Sequence, residues 1–480
     1  MDNSQNIKVR IELVRRLDLY EPTTEQHQIK STLTCKSIKG DFSYGKSETD
    51  NFGTDYFNHF PLLVNSDGSL WTEANRYLLS RLESVIPVKS RTLESIAADL
   101  AHFRQWLINE NIDFLFITAR PRSRPTYRYC AYLHDELRLQ KIKSSTAKRR
   151  MSTVQGFYRW LGEDGYEFEF PLWVESDAKF FFKNSHGFHR TKSYKSTDLT
   201  RTFKTPKNSN DYTNRIEDGG QLRPLPKDEQ IALVESLKRI GNIEMLLSFM
   251  FAITTGARLQ TVFTLRQKHF NQKLSDDVTH HRLKVGSGTL VNAKNGKQMV
   301  LLVPVWLYRR FQIYLNSERY LSRSKRSGQE HQNEKQYAFL TKAGKPYYMA
   351  SQDEHAVSYR TPPRGNAITQ FIRQQLKPDL LANGNYFEIS FHDLRATFGM
   401  NLLEGKLLDY KLGGVAITNQ PEFFQLLMYV RERMGHTQLS TTEAYLNYRQ
   451  KYHLALHVQS EYELYLEKLV NQVEVAVDLG

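Results

Sequence analysis

Apolar residues recur at helical spacing along most of the chain and alternate with polar ones only in short runs. The clearest helical run is TLESIAADLAHFRQWLINENI. There Leu93, Ile96, Leu100, Phe103, Trp106 and Leu107 fall on one stripe, and Thr92 is placed to act as the N-cap. A second run, KIKSSTAKRRMSTVQGFYRWLGEDG, carries an apolar face of Met151, Val154, Phe157, Tyr158 and Leu161 and ends at Gly162. Further on, KDEQIALVESLKRIGNIEMLLSFMFAITTGARLQTVFTL reads as helix interrupted at TTGAR. Strand patterns are fewer. Residues 1 to 68 mix alternating runs such as KVRIELV with polar, Gly-containing stretches, which predicts a small strand-containing piece or an arm of low order. HRLKVGSGTLVNA and KQMVLLVP read as two strands joined through KNGK, whose Asn295-Gly296 pair favours a two-residue type I′ turn. The pattern predicts a mainly α fold with a small β-sheet or hairpin.

At 480 residues the chain is long for a single core, so two or three domains are expected. Composition divides it into four regions. Residues 1–68 form an N-terminal extension, for which an arm-type DNA-binding module and a protein-docking module both fit. A helical domain follows over 70–171. Residues 172–223, polar and basic with few aliphatics, read as a linker, and residues 224–480 form the last domain.

Hydrophobic residues at 40%, with 27 Phe and 26 Tyr, exclude wholesale disorder. No run is long enough to span a bilayer, and the opening MDNSQNIKVRIELVRR lacks a secretory pattern, so a cytoplasmic protein without a membrane partner is expected. Cys35 and Cys130 are too few and too far apart for a disulfide framework or a zinc site, so no metal is expected. His453 and His457, four apart, lack a third ligand. Lys and Arg outnumber Asp and Glu by 66 to 52, which makes a polyanion the first partner to consider. Lys141, Lys143, Lys148, Arg149 and Arg150 precede the apolar face of the second helical run. That order suits a helix packed by its later turns while its start faces phosphates, although a solvated helix end has the same composition.

Chemistry concentrates in the last half. In SFHDLRATF, Ser390 and Asp393 resemble a capping box that would set His392 and Arg395 on one face of the first two helical turns. In MGHTQLSTTEAYLNY, Ser440 and Glu443 fit a fuller capping box and put Tyr445 in the second turn. Helix starts are electropositive and suit a phosphate. Arg258 follows Gly256 at a turn, two lysines flank the Asn-Gly turn, and Tyr445 stands nine positions after His436. Each feature alone is common; their order and spacing are informative.

TTGAR, FHDLRATF and MGHTQLSTTEAY resemble the successive signature boxes of the tyrosine recombinases, the integrases and resolvases that cut and rejoin DNA through a phosphotyrosine. The AKNGK…LLVP hairpin resembles the one that bears the family's catalytic lysine, and the resemblance covers about 225 to 460. Residues 70–170 resemble, less specifically, the family's helical core-binding domain. The resemblance implies a clamp of core-binding and mixed α/β catalytic domains around double-stranded DNA. In it Tyr445 would attack the scissile phosphate, Arg258 and Arg395 would clamp its oxygens with His436, Lys294 or its fallback Lys297 would protonate the departing 5′-oxygen, and His392 would assist proton transfer. Tyr448 competes with Tyr445 and is set aside on its spacing from His436. No cofactor is implied. Further implications are a homo-tetramer on synapsed DNA, a C-terminal tail exchanged between protomers, a DNA-bending helper or a second recombinase as partner, nucleoid association, and service to a mobile element. The family has an acidic residue three positions after the first arginine, and here stands Thr261, so the bonding that braces Arg258 must differ. A catalytically inactive, sequence-specific DNA-binding protein and a type IB topoisomerase are the alternatives.

Overall fold

The structure is a computed structural model of the 480-residue chain. It describes residues 8–19, 21–22, 29–37, 40–47, 56–83, 88–183, 189–201, 203, 215–218, 220–275, 277–328, 335–351, 353, 355–411, 421–448 and 463. The chain is mainly helical with small antiparallel sheets, in two compact units: Met1–Asn208 with Gln352–Pro362, and Ser209–Ser351 with Pro363–Gly480. None of the helices among the described residues is long and apolar enough to cross a membrane.

In the first unit, helices Thr72–Ser80, Ser90–Asn109, Pro125–Arg138 and Ser144–Glu163 surround an aromatic-rich core. The predicted stripe of the 90–109 helix is buried at Leu93, Leu100, Phe103, Trp106 and Leu107, with Ile96 packed at its margin. The helix starts three residues earlier than the sequence suggests, so Thr92 lies inside it and Lys89 is its N-cap. In the 144–163 helix Met151, Val154, Phe157, Tyr158 and Leu161 are all buried, as their spacing requires.

Strands Arg10–Asp18 and Tyr56–Val64 pair antiparallel, and Phe57, Phe60 and Leu63 enter the same core as the helices. The expected break near residue 69 is therefore not a boundary between cores; the aromatic face of the 56–64 strand needs the helices to bury it. The stretch read as a linker likewise holds paired strands, Glu175–Lys183 and His189–Thr197, and gives Trp173, Leu199 and Phe203 to that core.

The second unit has a large core built from helices Lys227–Ile240, Ile243–Thr255 and Val305–Leu315 and from the antiparallel strands His280–Val285 and Met299–Pro304. One charged cluster is embedded in it. Fully buried Glu244 accepts from Arg319 at 2.8 and 2.7 Å and pairs with Arg323 at 2.8 Å. A smaller apolar cluster joins Ile216 and Leu222 to Ala396, Phe398, Leu427, Val430, Met434 and Tyr445. The strand ladder stops at Val285 and Met299, so the Asn-Gly turn does not join the strands directly. It caps a longer loop. Asn295 and Gly296 both have positive φ, at 57° and 67°, and Lys297 N donates to the Lys294 carbonyl across them.

Candidate active site

Two helix ends deliver two of the site's side chains. The Ile243–Thr255 helix stops at Gly256, which has φ of 68° and donates its N–H to the carbonyl of Ala252. A left-handed residue at this position favours glycine, and it turns the chain so that Arg258 leaves the helix axis. The Pro421–Met434 helix ends in the same way at Gly435, with φ of 64°. Gly435 N bonds to Glu432 O and His436 N to Arg431 O, the paired bonds of a Schellman motif. His436 is thereby fixed by the backbone that precedes it.

Arg395 lies in the first turn of the Asp393–Lys411 helix and is 2% exposed. Asp393 reaches back to the Ser390 N–H at 2.7 Å, but the Ser390 hydroxyl donates to that same carboxylate, so only half of the expected capping box forms. His392 precedes the helix instead of lying within its first two turns. Tyr445 is in the second turn of a helix over 439–448. That helix begins before Ser440, so Ser440 is not its N-cap. Tyr445 is fully buried, while Tyr448 is partly exposed at the edge of the same apolar cluster.

These residues meet on one group that the sequence did not single out, Asp218. Its Oδ2 accepts from Arg395 Nε at 2.7 Å, His436 Nε2 at 3.1 Å and the Tyr445 hydroxyl at 3.2 Å. Its Oδ1 accepts from Arg258 Nη2 at 3.3 Å, and its carbonyl accepts from His392 Nε2 at 3.2 Å. Asp218 sits at the turn between the short strands Ile216–Glu217 and Gln221–Leu222. Locally it resembles any polar turn residue, so no signal in the sequence distinguishes it from Glu217.

The remaining bonds explain why the guanidinium groups hold their places. Arg395 Nη1 donates to Gly256 O at 2.8 Å and Nη2 to Met434 O at 2.6 Å. Thr261 donates to Asn292 O at 2.8 Å, and Thr264 accepts from Asn292 N at 2.9 Å. The two threonines thus clip the loop that carries Lys294 and Lys297. Arg258 takes its carboxylate partner from Asp218. A cavity of about 400 Å³ opens beside the cluster, lined among others by Asp218, Arg258, Arg395, His436, Lys294 and Lys297. Lys297 Nζ donates to Gly435 O at 2.9 Å, so the fallback lysine is tied to the cap that presents His436.

Protonation follows from this bonding. Burial is the largest single influence on Asp218 and would raise its pKa, but His436 and Arg395 together outweigh it and hold the carboxyl well below the usual range. Burial lowers the pKa values of His436 and His392 and so favours the neutral rings, against the opposing pull of Asp218. A neutral His436 that donates from Nε2 to Asp218 accepts the Thr442 hydroxyl at Nδ1, 2.9 Å away. Burial, and then the negative charge of Asp218, push the Tyr445 phenol well above its ordinary value. The arrangement can bind one anion tightly and holds the phenol protonated while that anion is Asp218.

The basic residues proposed for the first unit divide. Lys143, the N-cap of the 144–163 helix, and Lys148 are exposed. Lys141 pairs with Glu136 at 2.9 Å, Arg149 with buried Asp99 at 2.8 Å, and Arg150 donates to His102 Nε2 at 2.9 Å. Among the described residues no group of His, Cys, Asp and Glu could hold a metal ion. His453, His457 and, apart from Glu463, the tail lie outside the described residues.

No protein-family model and no curated protein matches the chain. Among solved structures it is similar to the XerH site-specific recombinase bound to difH substrate, at 13% identity and a TM-score of 0.42 over 80% of this chain and 89% of that one. It is also similar to a lambda integrase dimer bound to a COC′ core site, at 14% identity and 0.43 over 78% and 76%. A third is the Tn1549 transposon integrase in complex with circular intermediate DNA, at 12% identity and 0.38 over 77% and 94%.

Proposed function

We propose that the protein is a tyrosine recombinase that breaks and rejoins DNA strands through a 3′-phosphotyrosyl intermediate. The observation that carries this reading is the convergence of Arg258, Arg395, His436 and the Tyr445 hydroxyl on a single carboxylate. Two cations, one neutral N–H donor and one phenol facing a common point are what phosphoryl transfer to a protein nucleophile needs. The formal net charge of +14 favours a polyanionic substrate.

In this reading Tyr445 is the nucleophile. Arg258, Arg395 and His436 bind the non-bridging oxygens and stabilise the charge that develops on them. Lys294, which lines the cavity, protonates the departing 5′-oxygen, and His392 helps to move the phenolic proton. The phosphotyrosyl bond keeps the energy of the phosphodiester, so the free 5′-hydroxyl of the same or another strand attacks it and releases Tyr445 without ATP. A recombinase of this type acts as a multimer on paired sites, here a homo-tetramer, in the movement of a genetic element.

The test uses sheared DNA from the gene's own neighbourhood, incubated with wild type and with Tyr445→Phe and then denatured in detergent. Wild type is expected to retain covalently bound DNA and the variant none. Equal retention by both would remove Tyr445 from the role, and no retention by wild type on DNA that it binds would favour an inactive DNA-binding protein.

A further inference from the structure

We propose, on the reading of this cluster as a phosphate site, that the Asp218 carboxylate is an intrachain stand-in for the phosphate and shuts the site until it is displaced. The Asp218 carboxylate oxygen Oδ2 bonds both Arg395 Nε, at 2.7 Å, and the Tyr445 hydroxyl, at 3.2 Å, and so uses donors that a phosphodiester would need. The role of brace for Arg395 is already filled by the carbonyls of Gly256 and Met434.

Access gives the same answer. An attacking oxygen must come within about 3–3.5 Å of phosphorus. Asp218 Oδ2 occupies that space, 3.2 Å from the Tyr445 oxygen, and Tyr445 and Asp218 are 0% and 4% exposed. Two anions cannot share these donors at such a distance, because like charges repel strongly where water is excluded. Substrate binding therefore requires Asp218 to leave.

Asp218 is carried by a hairpin of two-residue strands, seated on the apolar cluster through Ile216 and Leu222 alone among its strand residues, and its carbonyl holds His392 as well. When the hairpin moves, one displacement frees Arg258, Arg395, His436, His392 and Tyr445 together. The protein thus keeps its nucleophile protonated and covered in the absence of DNA, which guards against unprogrammed strand breaks.

The experiment compares the full-length wild type with Asp218→Asn and Asp218→Ala, using inorganic phosphate as the probe. Thermal melting in a phosphate titration reads binding even if a variant is destabilised, since a ligand of the folded state raises its melting temperature. Both variants are expected to bind phosphate about tenfold or more tightly than wild type, the factor by which an occupied site dilutes affinity. Adduct formation with DNA is expected to start faster in Asp218→Asn than in wild type. Equal phosphate affinity in all three proteins would overturn the proposal. So would weaker binding or slower adduct formation in the variants, either of which would make Asp218 a brace or a base. Absence of phosphate binding in every protein would instead remove the phosphate site itself, and with it the proposed function.

Discussion

Arg395 Nη2 donates to the carbonyl of Met434 at 2.6 Å, and Met434 ends the helix whose glycine cap carries His436. Its Nη1 is bound just as firmly to Gly256, the cap from which Arg258 emerges. One guanidinium therefore ties together two helix ends and the helix that bears it, and the positions of all three cationic or N–H donors depend on it.

Arg395→Lys should separate charge from geometry. Lysine keeps the positive charge but cannot bond two carbonyls and a carboxylate in a fixed fork. DNA adduct formation should fall by about 10²–10³, the usual cost of losing a donor aimed at developing charge. Stability should fall by about 1–3 kcal/mol for the buried acceptors left without a donor. Urea unfolding and an adduct assay measure the two effects; an unchanged adduct rate would remove Arg395 from the site.

Gly399 faces the nucleophile from the Asp393–Lys411 helix, and a Cβ built there would lie 2.6 Å from Tyr445 Cε1 and 3.1 Å from Met434 Cε. Gly399→Ala should force the phenol ring to shift. The expected cost is about 1–3 kcal/mol of overpacking, with a loss of adduct formation larger than the loss of stability explains. Thermal melts and adduct rates on one preparation separate the two.

The two hairpin lysines should differ in kind. Lys294→Ala should slow cleavage by about 10²–10⁴ if it supplies the proton to the leaving oxygen. The defect should vanish on DNA in which sulfur replaces that 5′-oxygen, because a thiolate leaves without an acid. Lys297→Ala loses the bond to Gly435 O and should show a smaller defect that the sulfur substrate does not repair.

Acidification should destabilise the fold before it touches most carboxylates. Burial, then Arg150, hold the pKa of His102 at about 4, and burial holds that of His269 at about 4. Both values lie below the ordinary 6.5, so the unfolded chain takes up protons that the folded chain refuses. Their contribution is therefore complete above pH 6.5 and is lost as pH falls towards 4. At His102 the cause is visible, since Nε2 must stay unprotonated to accept from Arg150. Urea midpoints should drop between pH 7 and pH 5, and His102→Gln should flatten that slope.

Local periodicity revealed what local periodicity controls. The stripes of the 90–109 and 144–163 helices and the turn position of Tyr445 were legible because each depends on spacing within one element. Arg258, His392, Arg395, His436 and Tyr445 were legible as a set through the order of their motifs, and the fold brings them onto one point. Asp218 was not legible, because its meaning comes from partners 40 to 227 positions away. The same limit explains Lys141, Arg149 and Arg150, which read as free basic groups until the fold supplied Glu136, Asp99 and His102. Thr92 and Ser440 failed as caps because a capping residue must lie outside the helix, and both helices begin earlier.

The identity of the residue that carries DNA decides whether Tyr445 is the nucleophile. Adducts trapped in detergent would be digested with nuclease and protease, and the peptide bearing a residual nucleotide sequenced by tandem mass spectrometry. A nucleotide 3′-phosphate is expected on Tyr445, with Tyr448 unmodified. A nucleotide on Tyr448, or on any residue outside the Asp218 cluster, would contradict that assignment.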